Sequence, residues 1–512
     1  MKVSFYSSAA SSIVPSAAAP RKRSNQPDRS YLDGYCTISE PVTRELNCVY
    51  GPTCHLAGMK SSLVVLLGAA AVAVAATVPA IHARQNSAPP ANPPATRVPP
   101  LPQVKVSADK THTVVNGQPI LFLGDTCWLI QQKMNREAIQ EYLYHRQAQG
   151  FNAIGIQMDF GWSGGGRDVN GNCPYLNPDG TALNPDYWSH TSWIVDQVAR
   201  RGMYVFFKAS AMELRDYRWC MGGTGIKNTK DAYAHGRLLG EWFGRRGQMS
   251  NIAWMMSYDR TISCTSPEAA RMRAQAEGIA DGNNGVNRFD GEADYSTVFM
   301  TFHPAGPGTS AEFQPEPWLD AAGVQMRHGN VNDVHLVLRE FKRHPQKPVL
   351  NLEPRYESSL NQQVDTRVRC QGWLTFLHGG SAFIYGHSTV WRATWPDLKD
   401  VWNSGSIQNL RDMKDRLEQW EWWKLRPDLD LFDGTQSDPA HAGASASDDR
   451  VVVYVLGART FRVKLDRLQG PVTAYRLNPA DNTLSELGAY YSTDHPTFST
   501  PDDWVDVVMM FE

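Results

Sequence analysis

The stretch KPVLNLEPRYE, Lys347–Glu357, places a short apolar run directly before the carboxylates of Glu353 and Glu357. A buried strand rarely ends on acids, because removing an unpaired carboxylate from water costs free energy. At the carboxyl end of a barrel strand, however, enzymes place the acids that they use. The stretch therefore predicts a strand of a (β/α)8 barrel, provided that similar runs recur along the chain.

Similar apolar runs do recur, and helical patterns separate most of them. The predicted barrel strands are Pro119–Leu123, Phe151–Met158, Met203–Ala209, Asn251–Met256, Thr297–Phe302, Gly323–Gln325, Pro348–Leu352 and Ala382–Tyr385. The predicted helices are Asn135–Gln149, Pro185–Arg201, Lys230–Arg246, Pro267–Asp281, Asn332–Arg343, Asp365–Leu377 and Gln408–Glu421. After the fifth strand, Pro315 and Pro317 interrupt the pattern. This alternation predicts an α/β fold, a (β/α)8 TIM barrel over residues 104–425.

The pattern changes after the barrel. Short apolar runs separated by turn residues occur at Val451–Leu456, Thr460–Leu465, Val472–Leu477 and Trp504–Met509. Such runs predict a small antiparallel β-sandwich domain over residues 429–512.

The segment before residue 104 is expected to lie outside the fold. Residues 59–83 have the lysine, apolar run and small-residue cleavage sites of a secretory signal peptide, which predicts a periplasmic or secreted protein. Because such a signal begins at an initiator methionine, we interpret residues 1–58 as an upstream extension from a mis-called gene start. The alternative is a cytoplasmic tail followed by a membrane anchor. Residues 84–103 form a Pro-rich linker.

Composition excludes several classes of function. The 512 residues are 42% apolar, and a formal net charge of -2 gives no electrostatic reason to expect a nucleic-acid partner. No CxxC, HxH or HExxH motif occurs, so neither a metal site nor a cofactor is predicted. No stable membrane insertion is expected once the signal is cleaved, and the sequence does not define an oligomeric state.

The residues that follow the predicted strands suit a carbohydrate pocket. They are acids, amides, histidines and aromatics, the groups that bind hydroxyls and stack on sugar rings. The candidate substrate-binding residues are Asp125, Trp128, Gln157, His303, Gln325, Tyr356 and His387. For Trp128 a place in the barrel core is an equal alternative, and the histidines could be structural.

Two acids among these residues form a candidate catalytic pair. Asp259 follows the fourth strand and Glu353 the seventh, on opposite sides of an eight-stranded ring. Retaining glycosidases need carboxyls about 5–5.5 Å apart, so we assign Glu353 as nucleophile and Asp259 as general acid/base. Alternatively, Asp259 pairs with Arg260 or caps a helix, and Glu353 pairs with Arg355. A non-catalytic carbohydrate-binding or adhesion protein on this scaffold is the competing function.

Several motifs resemble the apiosidase-like glycoside hydrolases, family 140. They are LGDTCW at Leu123–Trp128, NIAWMMSYDR at Asn251–Arg260, TFHPAG at Thr301–Gly306, EPWLD at Glu316–Asp320, KPVLNLEPRYE at Lys347–Glu357 and YGHSTVW at Tyr385–Trp391. The tail resembles the β-domain of collagen-binding type that follows such barrels. The resemblance implies a TIM barrel with Asp259 and Glu353 as its catalytic pair.

The chain departs from this family in one motif. The family usually carries two glycines before the aspartate, where this chain has Ser257 and Tyr258. The bulk of Tyr258 predicts a narrowed or reshaped pocket, so the resemblance does not fix apiose as the sugar.

Three cysteines lie in successive loops on the predicted catalytic rim. Neighbours there can form a disulfide in an exported protein if their Cα atoms approach within about 7 Å. Among Cys173, Cys220 and Cys264 we favour a Cys173–Cys220 bond, with Cys264 unpaired. Cys127 and Cys370 are expected to be buried thiols.

Overall fold

The computed structural model describes most of the chain after the linker. The described residues are 98–157, 166–208, 220, 226–327, 332–358, 364–434, 438–439 and 441–512. They all belong to one unit, residues 91–512. Within these ranges, no helix is both long and apolar enough to cross a membrane. The predicted signal segment, residues 59–83, lies outside them.

A small antiparallel sheet precedes the barrel. Its strands are β1 (Val104–Val106), β2 (Thr113–Val115) and β3 (Gln118–Pro119). A turn at Asn116 and Gly117 joins β2 to β3 with φ angles of 52° and 75°, as a tight hairpin requires. The apolar run that we assigned to one strand, Pro119–Leu123, is divided between two elements. Pro119 pairs in the hairpin, and the barrel strand starts only at Phe122.

Eight parallel strands form the barrel, as predicted. These strands are β4 (Phe122–Thr126), β5 (Ala153–Gln157), β6 (Tyr204–Lys208), β7 (Ile252–Arg260), β8 (Phe299–Pro304), β10 (Ala322–Gln325), β11 (Val349–Glu353) and β12 (Gly380–Tyr385). A short strand, β9 (Gly308–Thr309), adds to the sheet by pairing antiparallel with β10. Their order in the sheet is β8-β7-β6-β5-β4-β12-β11-β10-β9. All carboxyl ends of the parallel strands therefore meet at one rim.

The ring closes between β8 and the residues that lead into β10. The backbone N–H of Asp320 donates to the carbonyl of Met300 (2.9 Å), whose own N–H donates to the Asp320 carboxylate (2.8 Å). Thr301 and Ala321 form a parallel β-bridge beside them. The sheet is thus a closed barrel, and Asp320 is part of its seam.

Helices surround the barrel, and all except the short α1, which was not predicted, lie at the predicted places. They are α1 (Ile130–Lys133), α2 (Arg136–Ala148), α3 (Pro185–Ala199), α4 (Thr229–Arg245), α5 (Pro267–Asn284), α6 (His335–Phe341), α7 (Thr366–Leu377) and α8 (Gly405–Gln419). Asn135 caps α2 by accepting from Ala138 N–H (2.9 Å), as its sequence position predicts. The proline-interrupted segment after β8 forms only a 3-10 turn, Ala311–Phe313.

Glycines allow α4 and α5 to pack in backbone contact. A Cβ atom on Gly240 would lie 2.1 Å from the carbonyl oxygen of Ile279. A Cβ atom on Gly282 would also lie 2.1 Å from the carbonyl oxygen of Arg237. Only hydrogen fits at these positions. The sequence analysis did not identify this contact, although Gly236, Gly240 and Gly244 recur every four residues along α4.

The C-terminal residues form the predicted β-domain. Its strands are β13 (Arg426–Pro427), β14 (Ala442–Ala446), β15 (Val451–Leu456), β16 (Thr460–Arg462), β17 (Pro471–Asn478), β18 (Thr483–Tyr491), β19 (Thr497–Ser499) and β20 (Asp506–Phe511). A six-stranded antiparallel sheet, β13-β14-β15-β20-β17-β18, lies beside the two-stranded sheet β16-β19. An apolar core that includes Val453, Phe461 and Met509 belongs to this domain.

A second apolar core joins the barrel to this domain. Trp373 of α7 stacks on Tyr454 of β15 with ring centroids 6.4 Å apart. Arg369 of α7 forms a two-pronged ion pair with Asp506 of β20, at 2.9 and 2.6 Å, and both side chains are buried. The β-domain is therefore anchored to the outside of the barrel.

The disulfide prediction is confirmed. Cys173 and Cys220 are bonded, with their Cα atoms 6.0 Å apart. Cys127 and Cys370 are buried thiols, and Cys264 is a free thiol that is partly exposed.

Candidate active site

The two predicted catalytic acids meet at the carboxyl rim of the barrel. Glu353 is the last residue of β11, and Asp259 lies near the end of β7. One carboxylate oxygen of each lies within 4.8 Å of the other. The Glu353 side chain is 4% exposed, whereas that of Asp259 is 59% exposed. One acid is thus enclosed at the base of the site, and the other is open to solvent.

An irregular strand end positions Asp259. The pairing of β7 with β8 shifts register between Met256 and Arg260. Within this bulge Ser257 and Asp259 have φ angles of 63° and 49°, which cost a non-glycine residue about 1–3 kcal/mol each. Position 257 is one of the two where the resembling family has glycine, and glycine adopts this conformation without strain. The side chain of Tyr258 lies outside the described residues, so its predicted effect on the pocket stays a prediction.

A lysine that sequence reasoning missed lies between the two acids. Lys208, the last residue of β6, places Nζ 3.5 Å from Glu353 Oε2 and 3.6 Å from Asp259 Oδ1. Its side chain is 1% exposed. The available signal was a charged residue closing the apolar run Tyr204–Phe207, a place where an unpaired ammonium would be costly.

His303 of β8 faces the same two carboxylates. Its Nε2 lies 3.1 Å from Glu353 Oε2, and its Nδ1 lies 3.4 Å from Asp259 Oδ1. Burial, together with the charge of Lys208, lowers the pKa of His303, so the imidazole is neutral at neutral pH. We predicted contacts of His303 with sugar hydroxyls. The fully buried ring instead lies against the two acids, because β8 is the neighbour of β7.

Tyr356 and Trp128 hold the other oxygen of Glu353. The Tyr356 hydroxyl donates to Glu353 Oε1 (2.5 Å) and accepts from Trp128 Nε1 (2.7 Å). Burial and the neighbouring Glu353 raise the pKa of Tyr356 well above its usual range, so the phenol remains a donor. A Cβ on Gly386 would lie 2.3 Å from the Tyr356 ring, and glycine there makes room for it.

Asp125 does not join this group and requires a correction. It was predicted to bind sugar, but it is fully buried and forms an ion pair with Arg146 of α2 (2.5 Å). Tyr142 donates to the same oxygen (2.6 Å). A carboxylate neutralised within the barrel wall contributes to strand–helix packing rather than to a sugar subsite.

The remaining predicted residues lie at strand ends on the same rim. Gln157 and Gln325 end β5 and β10, and both side chains are almost fully buried. Within the described part of the chain, Gln325 Oε1 is buried and has no hydrogen-bond partner. His387 follows β12, and its Nδ1 accepts from Thr389 N–H (3.0 Å), which leaves Nε2 as the protonated nitrogen.

The donor atoms of Asp259, His303 and Glu353 lie close enough together to surround a cation. The ammonium of Lys208 lies 3.5–3.6 Å from the same two carboxylates and supplies positive charge there. We therefore do not assign these residues as metal ligands.

Comparisons with known proteins identify the family and the fold. The sequence model described as Apiosidase-like, catalytic domain, matches residues 109–424. A structure named as a glycoside hydrolase superposes with a TM-score of 0.67 and 21% identity, covering 80% of this chain and 96% of that one. A family 5 glycoside hydrolase from Bacteroides vulgatus superposes with a TM-score of 0.66 and 21% identity, covering 80% and 93%. No curated protein sequence matches the chain.

Proposed function

This chain belongs to the Apiosidase-like family and is a glycoside hydrolase, and we propose that it cleaves its substrate with retention of anomeric configuration, using Glu353 as nucleophile and Asp259 as acid/base. The separation of the two acids carries this proposal. One oxygen of each acid lies within 4.8 Å of the other, which is closer to the retaining spacing of about 5–5.5 Å than to the roughly 6.5–9.5 Å by which inverting enzymes separate their carboxyls around a water.

The different environments of the two acids support their roles. Glu353 is enclosed, with a phenol donor at Oε1 and an ammonium near Oε2, which favours the ionised form that a nucleophile needs. Asp259 is open to the side from which a leaving group departs and water arrives. It can therefore donate a proton in the first step and accept one in the second.

The neutral imidazole of His303 supports the same division. A neutral ring has one N–H and one lone pair. If Nε2–H faces Glu353, then Nδ1 faces Asp259 as an acceptor and can take a hydrogen bond from that acid when it carries a proton. An ionised Glu353 beside a protonated Asp259 is the ground state that a retaining mechanism requires.

The family supports a proposal for the substrate class. We propose a plant or microbial oligosaccharide or polysaccharide with a furanosidic apiose-like terminus, while Ser257 and Tyr258 leave the exact sugar open. The competing function, a non-catalytic carbohydrate-binding or adhesion protein, predicts binding without turnover.

The experiment is a screen of 4-nitrophenyl furanosides and pectic oligosaccharides, with the first-formed anomer followed by proton NMR. Release of a sugar of retained configuration supports the proposal, and an inverted first product would overturn it. Binding of the same oligosaccharides without any turnover by the wild-type chain would favour the non-catalytic alternative.

We also propose that the protein is exported, to the periplasm or the medium. The signal-like segment 59–83 and the Cys173–Cys220 disulfide support an oxidising compartment. N-terminal sequencing of the protein exported by its native host should begin near Gln85, after Ala83, or after Ala80. Finding residues 1–58 on the exported protein would refute the processing that we propose.

A further inference from the structure

Lys208 is a buried cation, and its burial requires a physical explanation. All five residues of β6 are buried, and a lysine is almost never fully buried unless it is paired. Its ammonium has two anionic neighbours, at 3.5 Å in Glu353 and 3.6 Å in Asp259. These are the two groups assigned to the chemistry, and they lie on two different strands, β11 and β7.

Aromatic side chains fix the position of this ammonium. Nζ lies 3.9 Å from the centre of the Trp128 ring, a cation–π contact. The indole N–H of Trp128 donates to Tyr356, which donates to Glu353 Oε1. Lys208, Trp128, Tyr356 and Glu353 therefore form a closed circuit in which both oxygens of the nucleophile have a fixed neighbour.

The Trp128 ring of this circuit requires a glycine beside it. A Cβ atom on Gly155 of β5 would lie 2.7 Å from the ring, so glycine at this position leaves space for the indole next to Lys208. The ammonium thus has the Trp128 ring and the two acids as its neighbours.

We propose that Lys208 is a positioning residue that stays paired with the site's single negative charge as this charge moves from Glu353 to Asp259 during turnover. The inference rests on the proposed function. Before the first step Glu353 is ionised and Asp259 is protonated. When the Glu353 oxygen bonds to the anomeric carbon, the bond to the leaving oxygen breaks and Asp259 transfers its proton to that oxygen. Glu353 is then a neutral ester, and Asp259 carries the charge.

The second step reverses the transfer. Water attacks the anomeric carbon, Asp259 takes its proton, and Glu353 leaves as a carboxylate. Lys208 lies at nearly equal distances from both acids, so one fixed ammonium compensates the charge in both states without moving. Among the residues that the structure describes, the other titratable groups that face this position are His303, which is neutral, and Tyr356, which remains protonated.

The first test compares the pH dependence of kcat/KM for Lys208→Met and Lys208→Arg on the 4-nitrophenyl furanoside found in the screen. Without the cation, ionised Glu353 is less favourable, so the acid limb of Lys208→Met should move up by about one pH unit or more. The plateau of kcat should fall on the order of 10²-fold, while KM changes little because the buried ammonium does not reach the sugar. Lys208→Arg should restore part of both losses.

Lys347→Met is the matched control. Lys347 is also partly buried in the barrel wall. It precedes β11, at the end of the barrel opposite the site, and its ammonium donates to the backbone oxygen of Glu316 at 3.4 Å. Its replacement should leave the acid limb in place. A Lys208→Met acid limb at the wild-type pH would overturn the proposal.

The second test needs no substrate and uses thermal unfolding of the full chain. In the wild-type background, Lys208→Met should lower Tm more at pH 7.5 than at pH 5, because Glu353 becomes ionised without its cation. In a Glu353→Gln, Asp259→Asn background, where neither acid can ionise, the same change should have a nearly pH-independent effect. Equal pH dependence in both backgrounds would contradict the pairing of Lys208 with these acids. The anomer released by the wild-type chain tests the retaining mechanism separately, so failure of one idea is distinguishable from failure of the other.

Discussion

Glu353 and Glu357 lie four residues apart in one motif, and their environments give them different uses. Both are buried, but Glu353 faces the other acid, a lysine and a histidine. Glu357 accepts from the hydroxyls of Tyr385 (2.7 Å), Ser404 (2.5 Å) and Ser406 (2.7 Å). We propose the first as the nucleophile, whereas the second ties the loop after β11 to β12 and α8.

This difference gives a paired prediction. Glu353→Gln should remove nearly all turnover on every substrate, since no covalent intermediate can form, and should do so without a large loss of Tm. Glu357→Gln is the isosteric control. It should lower Tm through its buried hydrogen bonds and retain activity in the folded fraction. Steady-state kinetics with thermal unfolding measure both, and substantial turnover by Glu353→Gln would contradict its assigned role.

How far the sequence predicts the site depends on what each residue requires. That Asp259 and Glu353 approach each other could be predicted, because strand ends converge at one rim. The contacts of Lys208 and His303 with these acids could not, since they depend on which neighbouring side chains share the barrel interior. The orientation of the Asp125 side chain depends on its ion pair with Arg146 of α2, and no local sequence pattern indicates this pair.

At the scale of elements, the barrel depends on its seam between β8 and β10. Asp320 holds this seam through its own N–H and through its carboxylate, which accepts from Met300 N–H. Burial raises the pKa of Asp320 to about 7, even though the Met300 N–H and the nearby Lys347 favour the charged form. A titratable group therefore lies at the closure point of the sheet.

The shift makes the seam sensitive to pH. Between about pH 4 and pH 7 the folded protein retains a proton on Asp320 that the unfolded chain, with an aspartate near 3.9, has lost. The folded state binds more protons, so this group's contribution to stability falls as the pH rises through that window. Asp320→Asn keeps an acceptor for Met300 and cannot ionise.

The expected result is that Tm of Asp320→Asn, measured relative to wild type, rises as the pH increases from 5 to 8. Differential scanning calorimetry at several pH values measures it. A difference that does not change with pH would show that Asp320 titrates near its ordinary value.

The elements themselves were predicted well where a strong local signal existed. Asn135, Pro185 and Pro267 mark helix starts, and all three lie at the observed starts. The first barrel strand was misplaced because one apolar run, Pro119–Leu123, serves both a hairpin and the barrel. The α4–α5 contact depends on two distant segments approaching each other, and apolar periodicity does not report such an approach.

At the scale of the whole molecule, the β-domain and the barrel share a core. Arg369 and Asp506 are both buried and paired, and Tyr454 also donates to Asp506 (2.9 Å). Asn409 of α8 donates to the backbone of Ala480 (2.8 Å). Because the shared core includes Trp373 and Tyr454, the β-domain stabilises the barrel.

We expect the barrel and the β-domain to unfold together. Arg369→Met should lower the stability of both by about 3–5 kcal/mol, since it leaves the Asp506 carboxylate buried without its cation. Arg367→Met is the matched control two residues away, because Arg367 is exposed and its pair with Asp365 contributes little. Calorimetry should show a single unfolding transition, and its Tm should fall in Arg369→Met but not in Arg367→Met. Two separate transitions would indicate independent domains.

The most direct measurement of the central claim uses Asp259→Asn with an activated 4-nitrophenyl furanoside and added azide. An activated leaving group needs little protonation, so the first step survives in this variant, while the attack of water slows without its general base. Azide needs no base and should restore turnover. If Glu353 forms a covalent intermediate, the product is a glycosyl azide of retained configuration, which NMR identifies. A glycosyl azide of inverted configuration would contradict the account and would place water, not Glu353, on the anomeric carbon.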